Sequence, residues 1–126
     1  EKEFEAYLEA NKEYIDWWYK NGDSGRQHYS IEYMDIANTP SLFFIDFVIR
    51  MKNGNIYLFD TKSAGSDMNA ANKHNAFIAY MNEHRDLGIK GGGIIIQDGD
   101  NWRYSPLPIS NTHEIVNWNC FYPQNA

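Results

Sequence analysis

Apolar positions recur at helical spacing near the start of the chain. Phe4, Leu8 and Ile15 fall on one stripe, with Tyr7 and Trp18 at its edge, which predicts a helix over residues 1–20. Asn21-Gly22 ends it. Alternation of Tyr29, Ile31 and Tyr33 predicts a strand over 28–33, and Asn38-Thr39-Pro40 a loop. Two long apolar runs, 41–51 and 55–63, read as strong strands. A second helix is expected from a cap at Ser66 or Asp67 to about Leu87, with Gly88 as its stop. Residues 91–97 form a further strand, and a turn at 98–101 leads into another at 102–105, ended by Pro106 and Pro108. The tail, 109–126, holds at most a short helix near 112–118. The order of elements implies an α/β or α+β chain with a mixed central sheet flanked by helices.

The stretch FFIDFVIRMKNGNIYLFDTKS, residues 43–63, places an acid inside each of two apolar runs, Asp46 and Asp60, with Lys62 two residues after the second. Alternation puts Phe44, Asp46 and Val48 on one face and Phe43, Ile45, Phe47 and Ile49 on the other. Ile56, Leu58, Asp60 and Lys62 share a face of the second run. Both faces are apolar, so the hairpin should be central and covered on both sides. Register decides whether the acids meet. A two-residue Asn53-Gly54 loop pairs Asp46 with Thr61 and splits the acids between faces. A three-residue loop, Lys52-Asn53-Gly54, pairs Asp46 with Asp60 and needs Gly54 in the left-handed region. Burying two separated lone carboxylates is the worse arrangement, which favours the three-residue loop.

Length and composition narrow the class. At 126 residues, 43% hydrophobic and 16% aromatic, the chain suits one folded domain. One cysteine, Cys120, excludes an intrachain disulfide framework and a Cys-rich zinc site, and fits a reducing, cytoplasmic setting. No apolar run is long enough for a membrane helix. The net charge of −6 argues against tight autonomous binding to nucleic acid, where basic surfaces supply most of the affinity.

Two adjacent carboxylates repel, and one should hold a proton unless a cation intervenes. Mg²⁺ takes oxygen ligands and keeps several waters, so Asp46, Asp60 and the backbone carbonyl of Thr61 make an adequate set, with Mn²⁺ as a substitute. Lys62 on the same face would orient an attacking water or stabilise phosphate charge. On spacing alone a structural Asp–Lys ion pair is equally supported.

Asp46 followed by Asp60-Thr61-Lys62 resembles the PD-(D/E)XK nuclease superfamily. Together with WWYKNG at residues 17–22, the stretch resembles more narrowly the C-terminal endonuclease domain of type III restriction Res subunits and related helicase-linked proteins. The resemblance covers roughly residues 1–97 and implies a restriction-endonuclease-like α/β fold. It also implies that residues 1–126 are a single nuclease domain, a C-terminal piece of a larger helicase or restriction protein. It gives Asp46, Asp60 and Lys62 catalytic roles, with Mg²⁺ as cofactor. A family glutamate on the first helix carries over to Glu1, which lies nearest the apolar stripe, with Glu5 in reserve. Partners implied are DNA, a helicase or ATPase portion of the same chain and a modification subunit. Ile45 replaces the family proline, an aspartate stands at position 60 where glutamate is frequent, and no Gln-x-x-x-Tyr pattern marks the second helix.

Other features read more plainly. Lys73 shares a helix face with Phe77 and Tyr80 and would reach a scissile phosphate, although such lysines are more often solvated. His28, His74, His84 and His113 show no ligand spacing and read as surface residues. Gly91-Gly92-Gly93 precedes a strand, so it suits close backbone packing and not a phosphate loop. Trp17, Trp18 and Trp102 suit core packing better than base stacking, and Cys120 suits packing. Two functions stand: a Mg²⁺-dependent DNA endonuclease domain, or a catalytically silent domain of the same fold that binds DNA or a partner subunit.

Overall fold

The structure is a computed structural model that describes residues 2–21, 30–62, 68–113 and 115–126. Helix α1 spans Lys2–Ala10 and is followed by strands β1 (Ile15–Lys20), β2 (Ser30–Met34), β3 (Pro40–Phe44), β4 (Phe47–Met51) and β5 (Ile56–Lys62). Helix α2 (Ala70–Glu83) leads to β6 (Ile89–Asp98), β7 (Asn101–Tyr104) and β8 (Asn119–Cys120). Six strands form one mixed sheet in the order β1-β4-β5-β6-β7-β8, and β2 and β3 form a separate two-stranded sheet. Among the described residues, β5 and β6 are the one parallel pair in the large sheet, and α2 lies in the crossover between them. The chain is therefore mixed α/β, as its pattern implies.

The expected first helix is too long. It stops at Ala10, where the Asn11 side chain donates to the carbonyl of Tyr7 at 2.8 Å. A 3₁₀ turn over Lys12–Tyr14 then delivers the chain into β1. Ile15, Trp17, Trp18 and Tyr19 are β-branched or aromatic, and they suit a pleated surface better than a helix. Ile15 does reach the core expected of it, but from a strand.

Two apolar clusters sandwich the sheet. Phe4 and Leu8 of α1 meet Phe47, Ile49, Tyr57, Phe59, Ile95, Trp102 and Phe121 on one face. Phe77, Ile78 and Met81 of α2 meet Ile31, Phe43, Ile45, Val48 and Leu58 on the other. The β4–β5 hairpin is thus central and covered on both sides. The tail contributes Phe121 to the first cluster, so it belongs to the domain.

The single strand expected over 41–51 is in fact two. β3 leaves the main sheet to pair with β2, and the break falls at Ile45-Asp46. The phase of alternation changes there. Phe43 and Ile45 lie in the same cluster as Val48, not with Phe47 and Ile49 as uninterrupted alternation required.

Gly92 and Gly93 permit the closest approaches in the sheet. A Cβ on Gly92 would lie 1.9 Å from the Leu58 carbonyl oxygen, and one on Gly93 would lie 2.5 Å from the His74 ring. Among the described residues, no helix is long and apolar enough to cross a membrane.

Candidate functional site

The site is assembled at the end of the β4–β5 hairpin. Phe47 pairs with Phe59 and Val48 with Leu58. Continuing that ladder by one residue sets Asp46 opposite Asp60. The loop responsible is the three-residue one: Met51 N–H donates to the Asn55 carbonyl at 2.8 Å, and Gly54 adopts φ +94°. Asp60 and Lys62 share the face of β5 on which Leu58 meets α2, and the Asp46 carboxylate reaches Asp60 through a hydrogen bond.

Asp60 is only 4% exposed. Burial raises its carboxyl to about 8, and a hydrogen bond to Asp46 and the Asp46 charge push the same way. Lys62 and Lys73 oppose the rise. At neutral pH Asp60 therefore keeps a proton and shares it with Asp46. Lys62 Nζ lies 3.6 Å from Asp60 Oδ2, with its side chain 26% exposed, so the ammonium stands between the buried acid and solvent.

Asp46 is fixed by its neighbours on both sides. Asn21 N–H at the end of β1 donates to the Asp46 carbonyl at 2.7 Å. Thr61 donates to Asp46 Oδ2 through its N–H at 3.3 Å and its hydroxyl at 3.4 Å. A strand residue points its N–H and C=O to the same edge. The Thr61 carbonyl accordingly faces the Asp46 edge.

Glu1 lies outside the described residues. Glu5, its reserve, forms an ion pair with Lys20 at 3.9 Å. Lys20 is the ladder partner of Phe47, so Glu5 approaches this end of the sheet from the α1 side. Among the described residues, no third His, Cys, Asp or Glu joins Asp46 and Asp60 in a cluster. The oxygen set is two carboxylates and the Thr61 carbonyl. It fits a hard dication that retains water, because two carboxylates that meet, one of them buried, repel unless a proton or a cation lies between them.

Two residues join this set from outside the hairpin. Lys73 of α2 is close enough for its charge to act on Asp60, and its Nζ lies 5.7 Å from the ring centre of Tyr33. The helix-face spacing pointed to Lys73; no sequence signal marked Tyr33. The reading of the histidines as surface residues fails for His74, which is fully buried. Its Nδ1 accepts from Ile94 N–H at 3.1 Å and its Nε2 donates to the Leu107 carbonyl at 3.1 Å, so it is a structural, neutral imidazole. Trp102 is core, Trp18 packs on Phe47, and Trp17 is exposed on the edge strand.

No family model, no curated protein and no solved structure matches this chain.

Proposed function

We propose that the chain is a metal-dependent DNA endonuclease domain of the PD-(D/E)XK type, built on a restriction-endonuclease-like sheet. One observation carries the reading: Asp46 and Asp60, fourteen residues apart, share a hydrogen bond inside an apolar hairpin, with Lys62 ion-paired beside them. A fold that needed only stability would be served better by apolar residues there, because burying the Asp60 carboxyl beside a second acid costs desolvation and repulsion.

Asp46, Asp60 and the Thr61 carbonyl would hold Mg²⁺ or Mn²⁺. A bound ion supplies Lewis acidity at the phosphoryl group and removes the repulsion between the carboxylates. The chain's own groups do the rest. Asp60 would serve as a ligand in its deprotonated form, beside Asp46. The two Thr61 donors hold Asp46 in one rotamer, which keeps its second oxygen aimed at the site. Lys62, at the solvent boundary, donates hydrogen bonds to a water or a phosphate oxygen and balances charge as the P–O bond breaks. Water adds to phosphorus and releases one proton to solvent, the P–O bond to the leaving oxygen breaks, and that oxygen takes up a proton from solvent, so no covalent enzyme intermediate is required.

The net charge of −6 favours a second reading, a silent domain of this fold that binds DNA or a partner subunit. It also suggests that a helicase or ATPase portion and a modification subunit contribute the basic contacts. Cleavage of a DNA duplex with Mg²⁺, using the chain within its full-length protein, separates the two. Lys62→Ala and Asp46→Ala should each abolish cutting while the fold is retained. Wild-type rates from Lys62→Ala would overturn the nuclease reading.

A further inference from the structure

Alternation gives the β2–β3 ribbon two faces. Ile31 pairs with Phe43, and this face packs against Phe77 of α2. On the opposite face Glu32 pairs with Leu42 and Met34 with Pro40, and Phe44 lies two residues beyond Leu42. The outer face of an antiparallel pair is ordinarily polar. Here Leu42 is 61% exposed, Met34 45% and Phe44 37%. A contiguous exposed apolar face marks an interaction site, as scattered apolar residues do not.

Glu32 sits inside that face. Leu42 stands directly opposite, Met34 is two residues on along the strand, and Phe44 is the diagonal neighbour. Residues 30–44 hold two acids, Glu32 and Asp35, and no Lys, Arg or His. The Asp35 carboxylate is used within the turn, where it accepts from Ala37 and Thr39 N–H at 2.9 Å each. Ile36 N–H donates to the Asn69 side chain at 2.9 Å and ties the turn to the start of α2. The face is therefore held in place before any partner arrives, which lowers the ordering cost of binding.

We propose that the outer face of the β2–β3 ribbon docks an amphipathic helix of a partner protein, one that carries lysine or arginine beside its apolar stripe, with Glu32 as the ionic anchor. Charge complementarity selects this occupant. A second copy of the chain, also at −6, would set one acidic ribbon against another in a two-fold contact. An anionic membrane or a nucleic acid would likewise meet acids with no base among them. A helix fits better than an added strand, because the apolar feature is a side-chain face, and α2 already covers the other face of the ribbon in this way. Neither Asp60 nor Lys62 belongs to the ribbon, so this surface is independent of the nuclease reading.

The test is binding of two fluorescein-labelled helical peptides to the chain, followed by anisotropy. Both carry leucines at i, i+3, i+4 and i+7; one has lysines beside them and the other glutamates. The lysine peptide should bind saturably and about tenfold more tightly than the glutamate peptide, and added salt should narrow the gap. Glu32→Lys should reverse the order of the two peptides. Leu42→Asp should lose the lysine peptide with a melting temperature near wild type, since the side chain replaced is exposed. Met34→Gln, a milder change on the same face, should weaken the lysine peptide and serves if Leu42→Asp does not fold. A wild-type chain that binds neither peptide, or both equally with no reversal in Glu32→Lys, overturns the docking surface. A wild-type dimer in sedimentation that Leu42→Asp dissociates also overturns it, because a second copy then covers the face. Binding to phosphatidylserine vesicles that Leu42→Asp abolishes, without peptide binding, overturns it in favour of a membrane. Cleavage of DNA, present or absent, changes none of these outcomes.

Discussion

Thr61 donates twice to the same oxygen of Asp46, once from its backbone and once from its hydroxyl. This contact ties the site to the sheet, because Thr61 belongs to β5 while Asp46 sits at the break between β3 and β4. Asp46 is thereby held against Asp60 although neither charge favours the other. Millimolar Mn²⁺ or Mg²⁺ should raise the melting temperature, since a ligand that binds only the folded chain stabilises it. Thr61→Val keeps the backbone donor and removes the hydroxyl, so it should lower the metal-induced shift without abolishing it. Calorimetric scans with and without metal check both expectations. A wild-type melting temperature indifferent to Mn²⁺ would count against the site.

Asp60→Asn should remove the metal response entirely and stabilise the metal-free chain at pH 8. The folded carboxyl titrates near 8 against an ordinary value of 3.8. Between those values the folded chain holds a proton that the unfolded chain has released. This contribution is full below 3.8 and is lost as pH rises toward 8. Asparagine stays neutral throughout and keeps a hydrogen bond to Asp46. The expected gain at pH 8 is roughly 1 kcal/mol or more. Denaturant melts of both proteins at pH 5 and pH 8 should show the stability of the asparagine variant relative to wild type rising from the lower pH to the higher.

Gly92 and Gly54 separate crowding from backbone strain. Both have positive φ, but a Cβ at position 54 meets nothing within 4 Å, whereas one at position 92 collides with the Leu58 backbone. Gly54→Ala should cost about 1 kcal/mol. Gly92→Ala must separate β5 from β6 and should prevent stable folding. Expression and urea melts of the two variants decide this.

The hairpin was legible in the sequence because its loop chemistry and its acids agree on one register. Gly54 supplies the left-handed residue, and only the three-residue loop lets Asp46 meet Asp60. The first helix was not legible to its end, because Ile15 fits a helical stripe and a strand equally well. What decides between them is pairing with β4, a contact distant in sequence. The break at Asp46 was hidden for a similar reason: an apolar run reads as one strand unless something shows that its first half pairs elsewhere. His74 was misjudged because burial of an imidazole depends on partners at Ile94 and Leu107, which ligand-spacing patterns do not register.

Phe121 tests whether the tail is part of the domain. Its side chain is 1% exposed and packs on Phe59 with ring centres 4.9 Å apart, while Arg103 binds the Val116 and Trp118 carbonyls on the way to it. Phe121→Ala should cost about 3 kcal/mol or more, the usual loss for a buried aromatic. Val116→Ala, at a position 67% exposed, should stay within about 0.5 kcal/mol of wild type.

His74 should make the fold sensitive to mild acid. Burial pushes its imidazole below the ordinary 6.5, and the hydrogen bonds near Leu107 and Ser105 recover only part of that shift. The neutral ring accepts from Ile94 N–H, and a protonated ring would have no lone pair there. Below pH 6.5 the unfolded chain gains a proton that the folded chain resists, so stability falls as pH falls. The limiting slope for one such group is about 1.4 kcal/mol per pH unit. Asp60 acts in the opposite direction over part of the same range, so the informative quantity is a difference. His74→Gln cannot titrate and should be less stable at pH 7.5. The gap between it and wild type should narrow steadily from pH 6.5 to pH 5. A gap constant with pH would mean that His74 is not held neutral by burial and the Ile94 contact.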